Sequence, residues 1–264
     1  MKGFCPLASG SMGNSIYLGT ASTKILIDAG ISYKAIKERL AEINVQIEEI
    51  DAILITHEHS DHIRGLETIG SKLDVPIFAN SETAKAIAPL LKKMPRFKIF
   101  STGETFEFGD IEIHPFSIQH DTLEPVAFTF QFENFKEGVG VEKLKVGVCT
   151  DLGFVTTLVR SRLTGCTHLL IESNHEPSMV YACSRPTIYK QRVLGRQGHL
   201  SNDMCVGLLQ EIYHEDLRHI YLGHLSKECN NPELALKKVY EALANQNPSI
   251  SIAYQEKISK IIEF

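Results

Sequence analysis

Thr56-His57-Glu58-His59-Ser60-Asp61-His62 is the stretch on which the fold turns. It follows an apolar run at 52–55 and precedes residues with helical spacing. A strand feeding a turn and then a helix places the turn at a strand end, where α/β proteins hold their ligand sites. His57 and His59 alternate, so extended backbone points both imidazoles to one side. Asp61 and His62 come after a bend and reach the same space from another direction. Three imidazoles and a carboxylate suit Zn2+, Mn2+ or Fe2+. A solvated polar loop is the alternative, and it does not explain an apolar strand running straight into four ligand-capable side chains.

Outward from this turn, short apolar runs alternate with amphipathic stretches. Residues 15–18, 24–28 and 52–55 read as strands, with 76–79 and 97–100 as shorter ones. Residues 32–44 have helical spacing, with Ile36, Leu40 and Ile43 on one face. Helices are also expected at 61–72 and at 81–93, the latter with Ser81 as N-cap. Residues 106–116 read as a hairpin around Gly109-Asp110, a pair suited to a type II′ turn, and 126–132 continues the β-rich part. Residues 134–143 read as a loop. Beyond it lie strands at 144–149, 168–172, 219–222 and 249–254 and helices at 154–163, 202–213 and 232–244, the last opened by Asn231-Pro232. Two β-rich halves with flanking helices predict one α/β domain of two packed sheets over residues 1–264.

The chain has 264 residues, a net charge of −5, 43% hydrophobic and 22% charged residues. Collagen, coiled coil and disorder are excluded by that composition. No apolar run approaches the roughly 18 residues of a membrane span, and the N-terminus has no apolar core of a secretory signal. The six cysteines contain no Cys-x-x-Cys pair and read as free thiols of a reducing cytosol, so a cytoplasmic location is expected. A net acidic chain is not expected to coat itself with nucleic acid.

His57-x-His59-x-Asp61-His62 resembles the signature of the metallo-β-lactamase fold hydrolases. The resemblance implies an αββα four-layer sandwich: two packed mixed β-sheets, helices on the outer faces, and one or two metal ions at the strand ends. Later ligands follow in the order the family uses: His120 after a strand, Asp151 in Cys149-Thr150-Asp151-Leu152-Gly153, and His224 in Leu222-Gly223-His224-Leu225-Ser226, with His199 competing for the last place. The resemblance thus implies two divalent ions per chain, Zn2+ or Mn2+ with Fe2+ as a third option. One would be held by His57, His59 and His120, the other by Asp61, His62 and His224, with Asp151 between them.

Within the family, aspartate rather than cysteine at 151 points away from the lactam-cleaving enzymes, and histidine at 59 away from the diiron flavoproteins. The chain more closely resembles the compact YycJ (WalJ)-like branch, regarded as DNA exonucleases. Four segments carry that likeness: Ser9-Gly10-Ser11-Met12-Gly13-Asn14-Ser15, Glu172-Ser173-Asn174-His175, Gly198-His199-Leu200-Ser201-Asn202, and His224-Leu225-Ser226 with Asn230-Asn231. Ser11, Asn14, Asn174, His175, His199 and Ser226 are the residues expected to face a phosphate. His199 precedes a helix capped by Ser201, near a positive helix end.

Between Glu176 and Asp203 there is no acidic residue, while Arg185, Lys190, Arg192 and Arg196 fall in that interval. This basic run beside a candidate site segment fits a nucleic-acid-tracking face, and Tyr181 and Tyr189 are candidates to stack on bases. His114, His168, His214 and His219 lie within strand or helix patterns and carry no functional expectation.

The leading expectation is metal-dependent hydrolysis of a phosphodiester by exonucleolytic removal of nucleotides, on DNA ahead of RNA and 5′ to 3′ as the resemblance implies. Asp61 is expected to orient the nucleophile, and His199 to contact phosphate or protonate the leaving group. A thioester or cyclic-nucleotide hydrolase on the same metals is the first alternative. A non-catalytic metal-containing nucleic-acid-binding protein is the second. No membrane association is expected, and no protein partner is identifiable.

Overall fold

The computed structural model describes every residue except 137, 139 and 247. Strands β1 (Gly3–Ala8), β2 (Ser15–Gly19), β3 (Lys24–Ile27), β4 (Ala52–Leu54), β5 (Ile77–Ala79) and β6 (Phe97–Ile99) form one sheet. A second contains β7 (Phe106–Phe108), β8 (Ile111–Ser117), β9 (Val126–Lys136), β10 (Gly140–Cys149), β11 (His168–Glu172), β12 (His219–Gly223) and β13 (Ser249–Ile252). The chain then returns to the first sheet, where β14 (Ile262–Glu263) pairs with β1. Both sheets are mixed: β3 to β6 run parallel, as do β10 to β13, and the rest are antiparallel.

Strand alternation builds the layers. Ile25 and Ile27 face the second sheet in a core shared with Phe128, Phe130, Val146 and Tyr221, while Leu26 faces the opposite way. There Leu26 meets helices α1 (Tyr33–Glu42), α2 (Ser60–Ile63), α3 (Leu66–Lys72) and α4 (Ser81–Ile87) through Ile36, Leu40, Ile63, Ile69 and Ile87. The outer face of the second sheet is covered by α5 (Thr157–Leu163), α8 (Asn202–Ile212) and α9 (Pro232–Ala242), after the short α6 (Pro177–Ala182) and α7 (Thr187–Leu194). Helix, sheet, sheet, helix is the expected αββα sandwich. Among the described residues no helix is long and apolar enough to cross a membrane.

Several local expectations are corrected. Residues 61–72 fall in two helices with Gly65 between them, where the chain passes so close to Ile31 that a Cβ would sit 2.3 Å from its carbonyl oxygen. Asn80, not Ser81, caps α4, accepting from the Thr83 amide at 2.8 Å. That helix stops at Ile87, before Pro89, and the next residues tighten into a 3-10 turn. Residues 134–143 are mostly hairpin: β9 and β10 stay paired out to Lys136 and Gly140, with 137 and 139 outside the described residues. The turn at Gly109 does pair Phe108 with Ile111, and Gly109 takes φ +59° as a type II′ turn requires.

Candidate metal centre

Four strand ends open on one rim: β4 leads to His57–His62, β8 to His120, β10 to Asp151 and β12 to His224. The backbone there is specialised. Asp28, Asp151 and His224 all take left-handed conformations, at φ +61°, +58° and +55°. Such conformations cost non-glycine residues of order 1 kcal/mol and persist where the surroundings hold them. The 57–62 turn is pressed close to the β3 end, since a Cβ at Gly30 would lie 1.6 Å from the Asp61 carbonyl oxygen.

All seven residues singled out as candidate ligands converge. Potential donor atoms of His57, His59 and His120 lie within 4.8 Å of one another, as do those of Asp61, His62 and His224 and of His57, His62 and Asp151. Asp151 is central: its carboxylate oxygens are 3.3 Å from His62 Nε2, 3.5 Å from His224 Nε2 and 3.7 Å from His120 Nε2.

Protein acceptors fix the far side of three rings. His62 Nδ1 donates to Asp28 Oδ2 at 2.7 Å, His224 Nδ1 to Glu172 Oε1 at 2.9 Å, and His120 Nδ1 to the Gly198 carbonyl at 3.1 Å. In its neutral form a ring that donates through Nδ1 carries its lone pair on Nε2, the nitrogen through which each of these rings would bind a cation. Asp28 is itself held by the Thr56 amide and hydroxyl, both at 2.9 Å. Glu172 also accepts from the Leu152 and Leu200 amides, at 2.8 and 3.0 Å, and from His199 Nδ1 at 2.8 Å.

The carboxylates and imidazoles also set one another's charge. Burial works against ionised Asp151, yet His224 and His62 outweigh it and hold the carboxyl well below its usual range. Burial likewise opposes charge on His224, but Asp151, Asp61 and Glu172 raise it to about 10, so the carboxylates hold a proton on this ring that a bound cation would displace. His57 goes the other way, pushed well down by burial and by neighbouring His62. His57 Nε2, His224 Nε2 and Asp151 Oδ2 are buried without a hydrogen-bond partner. An unpaired buried polar atom costs about 1–3 kcal/mol. Three at the heart of one cluster of imidazoles and carboxylates fit divalent cations, which would satisfy them together.

A cleft of about 510 Å3 opens over this cluster, lined by His59, Asp61, His120, Asp151, His199 and His224. Ser11, Asn174 and Ser226 reach it, as do Arg185, Tyr189 and Arg192 from the α6–α7 segment. Arg185 pairs with Glu228 and Arg192 with Asp121. Asn14 and His175 do not line the cleft, contrary to expectation. Asn14 is buried beneath it, its amide nitrogen 3.0 Å from His62 Nε2 and 3.4 Å from Asp61 Oδ2. His175 is buried where its backbone bridges to Ser201. His199 lines the cleft, but its Nδ1 is taken by Glu172, whereas His224 Nε2 faces Asp61 and Asp151.

Sequence reasoning missed Asp28, Thr56 and Glu172 as members of this site. Asp28 and Glu172 had a usable signal: each is a carboxylate directly after a short apolar run, 25–27 and 169–171. Such a residue is buried with its strand and needs partners there.

The family description "Metallo-beta-lactamase superfamily" matches residues 8–157. The chain belongs to that superfamily. It is 35% identical to the Exodeoxyribonuclease YycJ of Bacillus anthracis, over 96% of this chain and 93% of that one. To the Exodeoxyribonuclease WalJ of Streptococcus pneumoniae serotype 2 it is 38% identical, over 94% and 91%. Among solved structures, the metallo-beta-lactamase fold protein YhfI from Bacillus subtilis superposes with a TM-score of 0.71 at 13% identity, covering 97% of this chain and 98% of that one. That likeness bears on the fold alone. As a superfamily member with this His/Asp cluster, the chain is a metal-dependent hydrolase.

Proposed function

We propose that the protein is a DNA exonuclease, acting 5′ to 3′, with two Zn2+ or Mn2+ ions in the cluster. The observation that carries this reading is the identity of 35–38%, over more than nine-tenths of both chains, to relatives named exodeoxyribonucleases. The cleft fits it: polar side chains line it, including Arg185, Arg192 and Lys227, each paired with a carboxylate that a phosphate could replace, where a closed apolar pocket would favour a small molecule. Six free thiols fit a reducing, cytoplasmic setting.

His57, His59 and His120 would hold one ion, and Asp61, His62 and His224 the other, with Asp151 shared. Bound there, divalent ions supply Lewis acidity toward a phosphoryl oxygen and lower the pKa of water. The chain supplies orientation and proton handling. Asp61, at the cleft wall, orients the attacking water and accepts its proton. Glu172 accepts from His199 Nδ1, so Nε2 is left to face the substrate; only with both ring nitrogens protonated can it donate to a phosphate oxygen or give its proton to the leaving oxygen. Ser11, Asn174 and Ser226 take the phosphate side.

The test is the metal-loaded protein with end-labelled single- and double-stranded DNA and RNA, scored for product length and direction. Mononucleotides released progressively from the 5′ end of DNA support the reading. No cleavage of any polynucleotide, with a thioester or cyclic nucleotide hydrolysed instead, overturns it.

A further inference from the structure

A second cavity, of about 770 Å3, adjoins the cleft, and Arg192 lines both. Its walls are Gln119, Asp121, Phe154, Gln191, Gly195, Arg196 and Gln197 in addition to Arg192. The route between the two is short in chemical terms. Asp121 Oδ1 is 3.4 Å from His120 Nε2, and Asp121 Oδ2 is 2.5 Å from Arg192 Nε.

The floor of this cavity is built from the segments that carry the metal-site candidates. Gln119 precedes His120, and Phe154 follows Asp151 by three residues. Gly153 donates to the Gln119 carbonyl at 2.8 Å. A Cβ on Gly153 would lie 2.1 Å from the Arg196 carbonyl oxygen, so only glycine lets the three segments press together. The 196–198 loop is tied down once more where Gly198 accepts from His120. A groove held this way stays in fixed register with the metal cluster.

Its charges are unequal. Arg192 is matched by Asp121 and Arg185 by Glu228. Arg196 has no carboxylate partner among the described residues, and its guanidinium carbon stands 4.4 Å from the centre of the Phe154 ring. With the one carboxylate of the wall, Asp121, taken up by Arg192, an unmatched guanidinium fixed on an aromatic ring beside three glutamines offers an anion contact, a planar stacking surface and amide donors. That combination suits a single-stranded polynucleotide: a phosphate and its base, with no sequence demand.

We propose that this cavity is the strand-holding subsite of the enzyme, in which Arg196, mounted on Phe154, binds a phosphate of the uncleaved strand. The proposal rests on the nuclease reading above and adds the path of the uncleaved strand. It makes substrate length matter: a 12-nucleotide strand reaches Arg196, and bis(p-nitrophenyl) phosphate does not.

The experiment compares wild type, Arg196→Ala, Arg196→Lys and Phe154→Leu with these two substrates. Fluorescence anisotropy of a labelled single-stranded 12-mer provides a second readout. Arg196→Ala is expected to raise KM for the 12-mer about tenfold and to lower the 12-mer to small-diester ratio of kcat/KM equally. The slope of log binding constant against log salt should flatten by about 0.7, the signature of one lost phosphate contact on a single strand. Arg196→Lys should keep that slope, and Phe154→Leu should weaken binding with the slope intact. If wild type cuts and binds the 12-mer while Arg196→Ala matches it in KM and salt slope, the subsite is overturned and the nuclease reading stands. If wild type hydrolyses the small diester but neither binds nor cuts any polynucleotide, the nuclease reading falls and takes the subsite with it.

Discussion

Glu172→Gln is an informative single-atom change in this protein. Glu172 is fully buried, and its two oxygens serve four donors: the Leu152 and Leu200 amides on Oε2, His199 Nδ1 and His224 Nδ1 on Oε1. Burial opposes its charge, but His199 and His224 more than offset that and keep it ionised. Glutamine has the same shape and only one oxygen. The two backbone amides cannot change their chemistry, so the remaining oxygen goes to them. The new NH2 then faces both imidazoles, and each must accept through Nδ1 and carry its hydrogen on Nε2. A His224 protonated on Nε2 has no lone pair to offer Asp61's side of the cluster. Loss of such an outer partner lowers metal affinity by about 10- to 100-fold, or about 1.4–2.8 kcal/mol. Competition with a chromophoric chelator measures that affinity, and far-UV circular dichroism checks the fold. A folded Glu172→Gln protein that binds metal within twofold of wild type would refute the tautomer argument.

Three further outcomes are expected. His57→Ala should abolish turnover and leave the fold, and unchanged activity in the purified variant would sink the metal mechanism. Saturating the metal-free protein with Zn2+ at 100 times Kd should stabilise it by about 2.7 kcal/mol for each site filled, read as a rise in Tm; no shift means no built site. His168 and His219, cross-strand neighbours away from the cleft, are held down to about 4, each chiefly by burial. The unfolded state then binds more protons between pH 6.5 and 4, so stability is lost as pH falls through that window. Each ring contributes about 2 kcal/mol of loss between pH 7 and 5 if it acts alone. Urea melts of wild type and His219→Gln at both pH values check this, and equal pH slopes would contradict it.

The sandwich was legible wherever burial leaves a period. Strands such as His168–Glu172 stand out as apolar runs, and Ile36 and Leu40 mark the buried stripe of α1. The His57–His62 signature marks the site because its ligands are local. Elsewhere the signal failed for physical reasons. β1 is buried throughout, so it has no alternation, and Pro6 inside it argues against a strand. The tip of the β9–β10 hairpin exposes Phe135 and Val141 and carries glycines and charges, which reads as loop. Helix α7 buries little beyond Val193, so it appeared only as part of a basic run. Asp28 and Glu172 act through bonds spanning 20 to 52 positions, which no local pattern encodes.

The left-handed backbone at Asp28, Asp151 and His224 restricts the alphabet from which this centre can be written. A residue at these places must supply the right donor and also tolerate positive φ. Among non-glycine residues, aspartate, asparagine and histidine do so most readily. Glutamate offers the same carboxylate as Asp151 with a less compatible backbone, and a β-branched side chain fails on shape before its chemistry is reached. Substitution at these strand ends is therefore filtered by conformation as well as by coordination. A library built on donor chemistry alone would contain many members that cannot close the turn.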